Sequence, residues 1–195
     1  MVNNKDFSQA CENNKTPILA QLRTHFADQN KIVEIGSGTG QHAAYFAPAL
    51  PHLTWQPTDI PGNHDSINAW LEELECSNVL PPVEFFIGRD SWSFSDIDGV
   101  FSANTTHIMQ PHEAQMMMET IAHNLPDNGV FCQYGPFKFD GKFTSASNDQ
   151  FDQSLRERGY GGIRDIVELQ TWAKPLSLVE TIQLPANNHL LVWRK

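Results

Sequence analysis

Basic side chains are scarce where they would matter most. The 195 residues carry 13 Lys and Arg against 23 Asp and Glu, a net charge of -10. Between Ile32 and Phe137 the only Lys or Arg is Arg89, in a stretch holding thirteen carboxylates. A surface that grips a phosphate backbone needs a basic stripe, so nucleic acid is excluded as the expected partner. Cysteine is equally sparse: Cys11, Cys76 and Cys132 are odd in number and far apart, which fits reduced thiols and neither a disulfide framework nor a zinc cage. No apolar run approaches the roughly 20 residues that span a bilayer, and the start, Met-Val-Asn-Asn-Lys-Asp, is not followed by an apolar signal segment. The expected setting is the cytosol, with no membrane partner. Charged residues make up only 18% against 40% hydrophobic, which excludes wholesale disorder and leaves material for a large buried sheet. At this length one domain is expected over 1–195, with a helical extension over 1–30, one half of a sheet over 31–135 and a second half over 136–195.

What is present is an alternation of strand-length apolar runs with segments of helical period, which predicts an α/β fold with a mostly parallel sheet. A helix is expected over Ser8 to Ala27, with Thr16 as N-cap and Pro17 at its first position. Strands are expected at Lys31 to Ile35, Leu53 to Thr58, Val83 to Gly88, Gly99 to Ala103 and Val130 to Tyr134. Helices are expected at Gln41 to Leu50, Asp65 to Leu74 and Glu113 to Leu125, the last carrying the run Met116, Met117 and Met118, of which at least one must face the sheet and pack in the core. After an apolar-poor loop from Lys138 to Asn148 come two short helices, around Phe151 to Glu157 and Ile163 to Trp172. The chain should close with a hairpin of Ser177 to Leu184 and Leu190 to Arg194, turned by Pro185 to Asn188, where Asn187 and Asn188 tolerate positive φ. Seven strands result, six parallel and the last inserted antiparallel, the architecture of the Rossmann-like class I methyltransferases.

The segment Glu34-Ile35-Gly36-Ser37-Gly38-Thr39-Gly40 lies where the first strand hands over to a helix, and its glycines let backbone amides approach a ligand. A dinucleotide fingerprint would need its third glycine at the position of Gln41, and no Lys follows the loop as a P-loop requires. A nicotinamide oxidoreductase is therefore disfavoured. The arrangement resembles motif I of S-adenosylmethionine-dependent methyltransferases, whose sulfonium-bearing ligand has no phosphate and is suited by a nearby carboxylate. Three glycines also make a tight turn that binds nothing. Asp59, about twenty residues on and at the end of the second strand, is placed to accept ribose hydroxyls. Asp90 and Ser91 end the third strand, where this fold usually reads the adenine amino group; each acid is otherwise an ordinary turn residue.

The run Ser37 to Ala44, with Trp55-Gln56-Pro57-Thr58-Asp59, is similar to the domain of unknown function 938 family, also called the methyltransferase-like protein 26 family. The resemblance continues through Glu12 to Leu19, Asn104 with His107, Tyr134 to Phe137, Gly141-Lys142, Arg164-Asp165 and Pro185 to Asn188. It implies a class I methyltransferase fold and S-adenosylmethionine as cofactor, with S-adenosylhomocysteine as product. Carried over by position, Gly36, Gly38 and Gly40 line the methionine and ribose part, with Glu34, Ser37, Asn104 and Asn14 completing that set. Asp59 holds the ribose and Ile60 packs on adenine. Asn13 stands where the family commonly has Arg, and Thr106 is more polar than the usual residue there.

Methyl transfer is an in-line displacement that demands alignment, a dry pocket and, for a protonated acceptor, a base. His107, beside Asn104 after the fourth strand, is the base best placed; its alternative role is to order the rim by hydrogen-bonding a loop carbonyl. Asn104-Thr105-Thr106-His107 lacks the Pro-Pro-aromatic platform that stacks a flipped base, again against nucleic acid. Tyr134 and Phe137 offer an aromatic wall for a small-molecule acceptor, or a core edge. His112 beside Glu113 lacks metal-ligand spacing, and no metal is expected. The expectation is a methyltransferase acting on a small molecule; the alternative is a cofactor-binding regulatory or interaction protein without catalysis.

Overall fold

The computed structural model describes residues 5–87 and 89–195. Seven strands form one sheet in the order β3-β2-β1-β4-β5-β9-β8, with β1 Lys31–Ile35, β2 Thr54–Asp59, β3 Val83–Glu84, β4 Gly99–Ala103, β5 Val130–Gly135, β8 Ser177–Leu184 and β9 Asn188–Arg194. The first five are parallel, and β9 runs antiparallel to both β5 and β8. Six strands thus share a direction, and the last strand is inserted between β5 and β8. This is the expected class I methyltransferase sheet, and its central strands are buried on both faces, as crossover helices require.

Alternate residues of those strands feed two cores. Val33, Val100, Phe131, Leu191 and Trp193 face one way, and Ile32, Phe101, Cys132, Leu190 and Val192 the other. Helices α4 Pro111–Asn124 and α6 Ile166–Trp172 cover the first face, α4 burying Met117 and Met118 while Met116 stays partly exposed. Helices α1 Gln9–His25 and α2 Gln41–Ala49 cover the second with Ile18, Leu22, Ala43 and Phe46. Each such large apolar side chain contributes on the order of 1.5–3 kcal/mol by leaving water. Helix α3 His64–Glu73 follows a 3-10 turn at Pro61–Asn63, and α5 Ala146–Glu157 lies beyond β5.

Several boundaries depart from expectation for local reasons. Ser8, not Thr16, caps α1, its hydroxyl accepting from Cys11 N at 3.3 Å, and Pro17 sits inside the helix. Burial of Asn14, Ile18 and Leu22 on one face carries the helix through the residue that cannot donate. The segment ahead of α1 is tied to α3: Asp6 N donates to Ser66 Oγ at 3.0 Å, Trp70 Nε1 donates to the Asp6 carbonyl at 2.8 Å, and Lys5 pairs with Glu73. Strand β3 ends at Glu84, and the remainder of the predicted strand to Ile87 enters a turn; Gly88 lies outside the described residues. The expected loop from Lys138 contains a small hairpin, β6 Lys138–Phe139 and β7 Lys142–Phe143, turned at Asp140-Gly141, and α5 begins already at Ala146 with Ser145 as its cap. Two-residue strands have no periodicity to detect. In the closing hairpin Ala186 and Asn187 take positive φ, whereas Asn188 belongs to β9, paired with Leu184.

Among the described residues no helix is long and apolar enough to cross a membrane, and no group of three or more His, Cys, Asp or Glu is arranged to hold a metal.

Candidate active site

The strand ends that carry the predicted residues converge on one rim. Gly36 N and Ser37 N both donate to the Thr58 carbonyl, at 3.1 and 3.0 Å, so the glycine loop turns directly over the end of β2. At Gly36 a Cβ would stand 2.9 Å from Thr105 Oγ1, and φ is +73, so this close crossing of the β1 and β4 ends needs glycine. Gly38 faces open space, and its amide donates to Asp59 Oδ2 at 2.6 Å. Gly40 serves packing instead: a Cβ there would come within 2.7 Å of Ile67 Cα on α3.

Asp59 is the hub of this rim. Its Oδ1 accepts from Ile60 N at 2.7 Å and Asn63 Nδ2 at 2.9 Å, beside the Gly38 bond on Oδ2. A carboxylate has about four acceptor positions, so one on Oδ2 remains for a ligand hydroxyl. Asp59, Gly36 and Ile60 line a cavity of about 240 Å³ together with Phe86, Thr105 and Ile108. Ile60, Phe86 and Ile108 present exposed apolar surface there, and Met109 and Ile87 complete a wall suited to a flat heterocycle. Another cavity, about 360 Å³, lies at the opposite, N-terminal end of β4, between Trp92 and Asn124, and is lined by none of the predicted site residues.

Glu34 and Ser37 lie beneath the loop rather than in the cavity. Glu34 is 2% exposed and accepts from Ser37 Oγ at 2.9 Å and Trp55 Nε1 at 3.1 Å. Burial, reinforced by nearby Asp59, pushes its pKa up to about 7. Asp90 and Ser91 are not brought to the cavity. Asp90 Oδ2 closes its own turn by accepting from Phe86 N at 2.7 Å, and Arg89 beside it holds the carboxyl below its ordinary range, while Ser91 is exposed. β3 ends beside Asp59 and the rim is lined by Phe85, Phe86 and Ile87 instead, before the Phe86–Asp90 turn carries Asp90 away from the cavity. Phe86, Thr105 and Ile108 were not anticipated; an exposed Phe or Ile in a strand-end loop was the available signal.

At the other end of the rim Asn104 adopts φ +59, and its amide donates to the Tyr134 carbonyl at 2.9 Å, locking the β4 and β5 ends together. His107 is 6% exposed, edge-on to Phe151 on α5 with ring centroids 5.4 Å apart. Its own carbonyl accepts from Gly162 N at 3.0 Å, yet among the described residues neither ring nitrogen has a hydrogen-bond partner. Burial, then the charge of Arg158, lowers its pKa to about 4, so the ring is neutral near pH 7. Tyr134 Oη accepts from Asn188 Nδ2 at 3.0 Å, and Asn14 Oδ1 lies 2.7 Å from His42 Nε2. Asn14, Tyr134 and His42 are buried, and His42 and Asn188 are polar partners that the sequence reading did not assign to the site.

A protein family described as a protein of unknown function (DUF938) matches the chain over residues 5–195. The chain belongs to this family. As a DUF938 protein it shares its fold with solved methyltransferases. An O-methyltransferase family protein from Burkholderia thailandensis superposes with a TM-score of 0.81 at 17% identity, over 95% of this chain and 57% of that one. The mitomycin 7-O-methyltransferase MmcR gives 0.81 at 15%, over 95% and 54%. Human N-acetylserotonin methyltransferase, solved in complex with SAM, gives 0.79 at 13%, over 96% and 53%. The DUF938 chain therefore spans little more than half the length of these structures, and at such identities the likeness establishes the fold.

Proposed function

We propose that this protein is an S-adenosylmethionine-dependent methyltransferase acting on a small-molecule acceptor. The observation that carries the reading is the meeting of Gly36, Asp59 and Ile60 around one cavity at the C-terminal ends of the parallel strands, where open α/β sheets hold ligands. The fit is local. The missing Cβ at Gly36 lets Thr105 pack against the loop, Asp59 retains an acceptor position for ribose, and Ile60 with Phe86 and Ile87 forms an apolar slot for adenine. With Asp90 engaged in its own turn, adenine recognition falls to this slot. Glu34 and Ser37 support the loop from below.

When bound, the cofactor supplies an electrophilic methyl group on sulfonium sulfur. The chain's own residues align and dry the acceptor. Asn104, Tyr134 and His107 stand at the β4 and β5 ends beyond the glycine loop, with the Phe151 ring edge-on to His107. With the cofactor supplying the methyl group, His107 would take the acceptor's proton and pass it to solvent. The unpartnered neutral ring supports that role over a purely rim-ordering one. So weak a base suits an acceptor whose proton is already labile, and the O-methyltransferases among the structural neighbours make an acidic hydroxyl the first class to test.

Calorimetry with S-adenosylmethionine on the pure, folded protein tests the premise, and no binding would remove both this reading and that of a non-catalytic cofactor-binding module. A metabolite-extract screen for S-adenosylhomocysteine then separates the two, since only the enzyme forms it.

A further inference from the structure

Tyr134, on β5, has its hydroxyl at the meeting of three further elements. Asn188 Nδ2, from β9, donates to Oη at 3.0 Å. The Asn14 amide, from α1, is a further polar neighbour that acts on this phenol. That amide is oriented from behind by His42 on α2, whose Nε2 is 2.7 Å from Asn14 Oδ1. Buried His42 is neutral near pH 7, its pKa lowered to about 4 by burial and by Lys15. A neutral imidazole nitrogen facing an amide oxygen must carry the proton, which turns Asn14 Nδ2 toward the phenol. Tyr134 Oη accepts from Asn188, which leaves its own O–H to donate elsewhere. Burial raises the Tyr134 pKa, so that proton stays in place at neutral pH.

A second donor waits at the same junction. Gln41, 3% exposed, has its Oε1 filled by Ser8 N at 2.5 Å and Thr39 Oγ1 at 3.1 Å, while its Nε2 is buried without a partner. The two places share a pair of helices: Ser8 caps α1, which carries Asn14, and Gln41 and His42 are the first two residues of α2. Buried donors without acceptors are costly, and a ligand group that offers only acceptors relieves them. A carboxylate is such a group.

Building on the cofactor reading above, we infer that the Tyr134 hydroxyl donates to the amino-acid carboxylate of the bound cofactor, with Asn188 and His42 as positioning residues that act through it. The closing hairpin thereby gains a part in cofactor binding, since Asn188 is the first residue of β9.

Two ligands separate this from a structural role. S-Adenosylhomocysteine carries the carboxylate; 5′-methylthioadenosine has the same adenosine and thioether but lacks the amino-acid end. By calorimetry, Tyr134→Phe should weaken S-adenosylhomocysteine about tenfold, the scale of one charge-assisted hydrogen bond, and leave 5′-methylthioadenosine within about twofold. Asn188→Ala should shift the ratio in the same direction by less. A hydroxyl that merely ties the hairpin would change both affinities together, and that result, or an unchanged ratio in both variants, overturns the inference. If Tyr134→Phe fails to fold, the ratio in Asn188→Ala decides alone. Wild-type protein that binds neither compound refutes the cofactor reading itself.

Discussion

The Gly38 amide donates to Asp59 Oδ2 at 2.6 Å, joining the glycine loop after β1 to the acid at the end of β2. One side chain thus both shapes the loop and keeps an acceptor position open toward the cavity.

Replacing Asp59 removes both functions at once. Asp59→Ala should weaken S-adenosylhomocysteine by tenfold or more, in keeping with the roughly 1.5–3 kcal/mol of a hydrogen bond to a charged group. Asp59→Asn should lose comparably, because one amide position donates where the carboxylate accepts from Gly38 and Asn63. Calorimetry at fixed pH checks this, and an Asp59→Ala protein that binds as tightly as wild type would remove Asp59 from the site.

The last two glycines of the loop should separate in a stability measurement. Gly40→Ala places a methyl 2.7 Å from Ile67 Cα at φ +90, where neither backbone can yield cheaply. It should cost about 2–4 kcal/mol, combining strained backbone with overpacking. Gly38→Ala meets no atom within 4 Å and pays only for its φ of +56, about 1 kcal/mol. Urea denaturation of both variants gives the comparison, and equal losses would mean that α3 moves away freely.

These positions also show what a sequence can convey. The strand-to-helix handover, Gly36 and Asp59 were legible because each is a local requirement: a turn that excludes Cβ, and an acid at a strand end. The topology was legible because five strand-length runs, four of them followed by helical segments, and a terminal hairpin admit few sheets. Gly40 was not distinguishable from Gly36, since only the packing of α3 separates a structural glycine from one facing the site. Asp90 looked like Asp59 because the two-residue length of β3 leaves no mark in the residues before it. His42 and Asn188 were hidden for the opposite reason: their partners, Asn14 and Tyr134, come from distant parts of the chain.

Glu34 predicts a pH dependence with a definite sign. Its pKa rises from an ordinary 4.5 to about 7 on folding, so the folded state holds the proton more tightly than the unfolded state. Stability from this group is fully present below about pH 4.5 and is lost as pH rises through about 7. The shift corresponds to roughly 3 kcal/mol. Buried His42 and His107 act oppositely, since their pKa values of about 4 make stability fall as pH drops below 6.5. Glu34→Gln removes one contribution while both histidines titrate as before. The stability difference, variant minus wild type, should therefore rise by about 3 kcal/mol between pH 4.5 and pH 8. A difference that stays flat across that range would show that Glu34 is ionised throughout.

His107 is the residue on which a catalytic role depends most directly, and its test must separate chemistry from folding. His107→Gln keeps a polar side chain of similar size against Phe151 but cannot take up a proton. With an identified acceptor, kcat should fall by about 10²–10⁴, the usual contribution of general base catalysis, while the affinity for S-adenosylhomocysteine stays within about twofold. The wild-type rate should decline in acid as the imidazole becomes charged, with a midpoint near pH 4 if burial is unchanged when ligands bind, and that inflection should vanish in the variant. A further control is an acceptor already ionised at the assay pH, for which the base is superfluous: the variant should recover most of its rate there. Full turnover by His107→Gln on a protonated acceptor would instead assign the ring to the rim, leaving alignment by Asn104 and Tyr134 as this chain's contribution to the transfer.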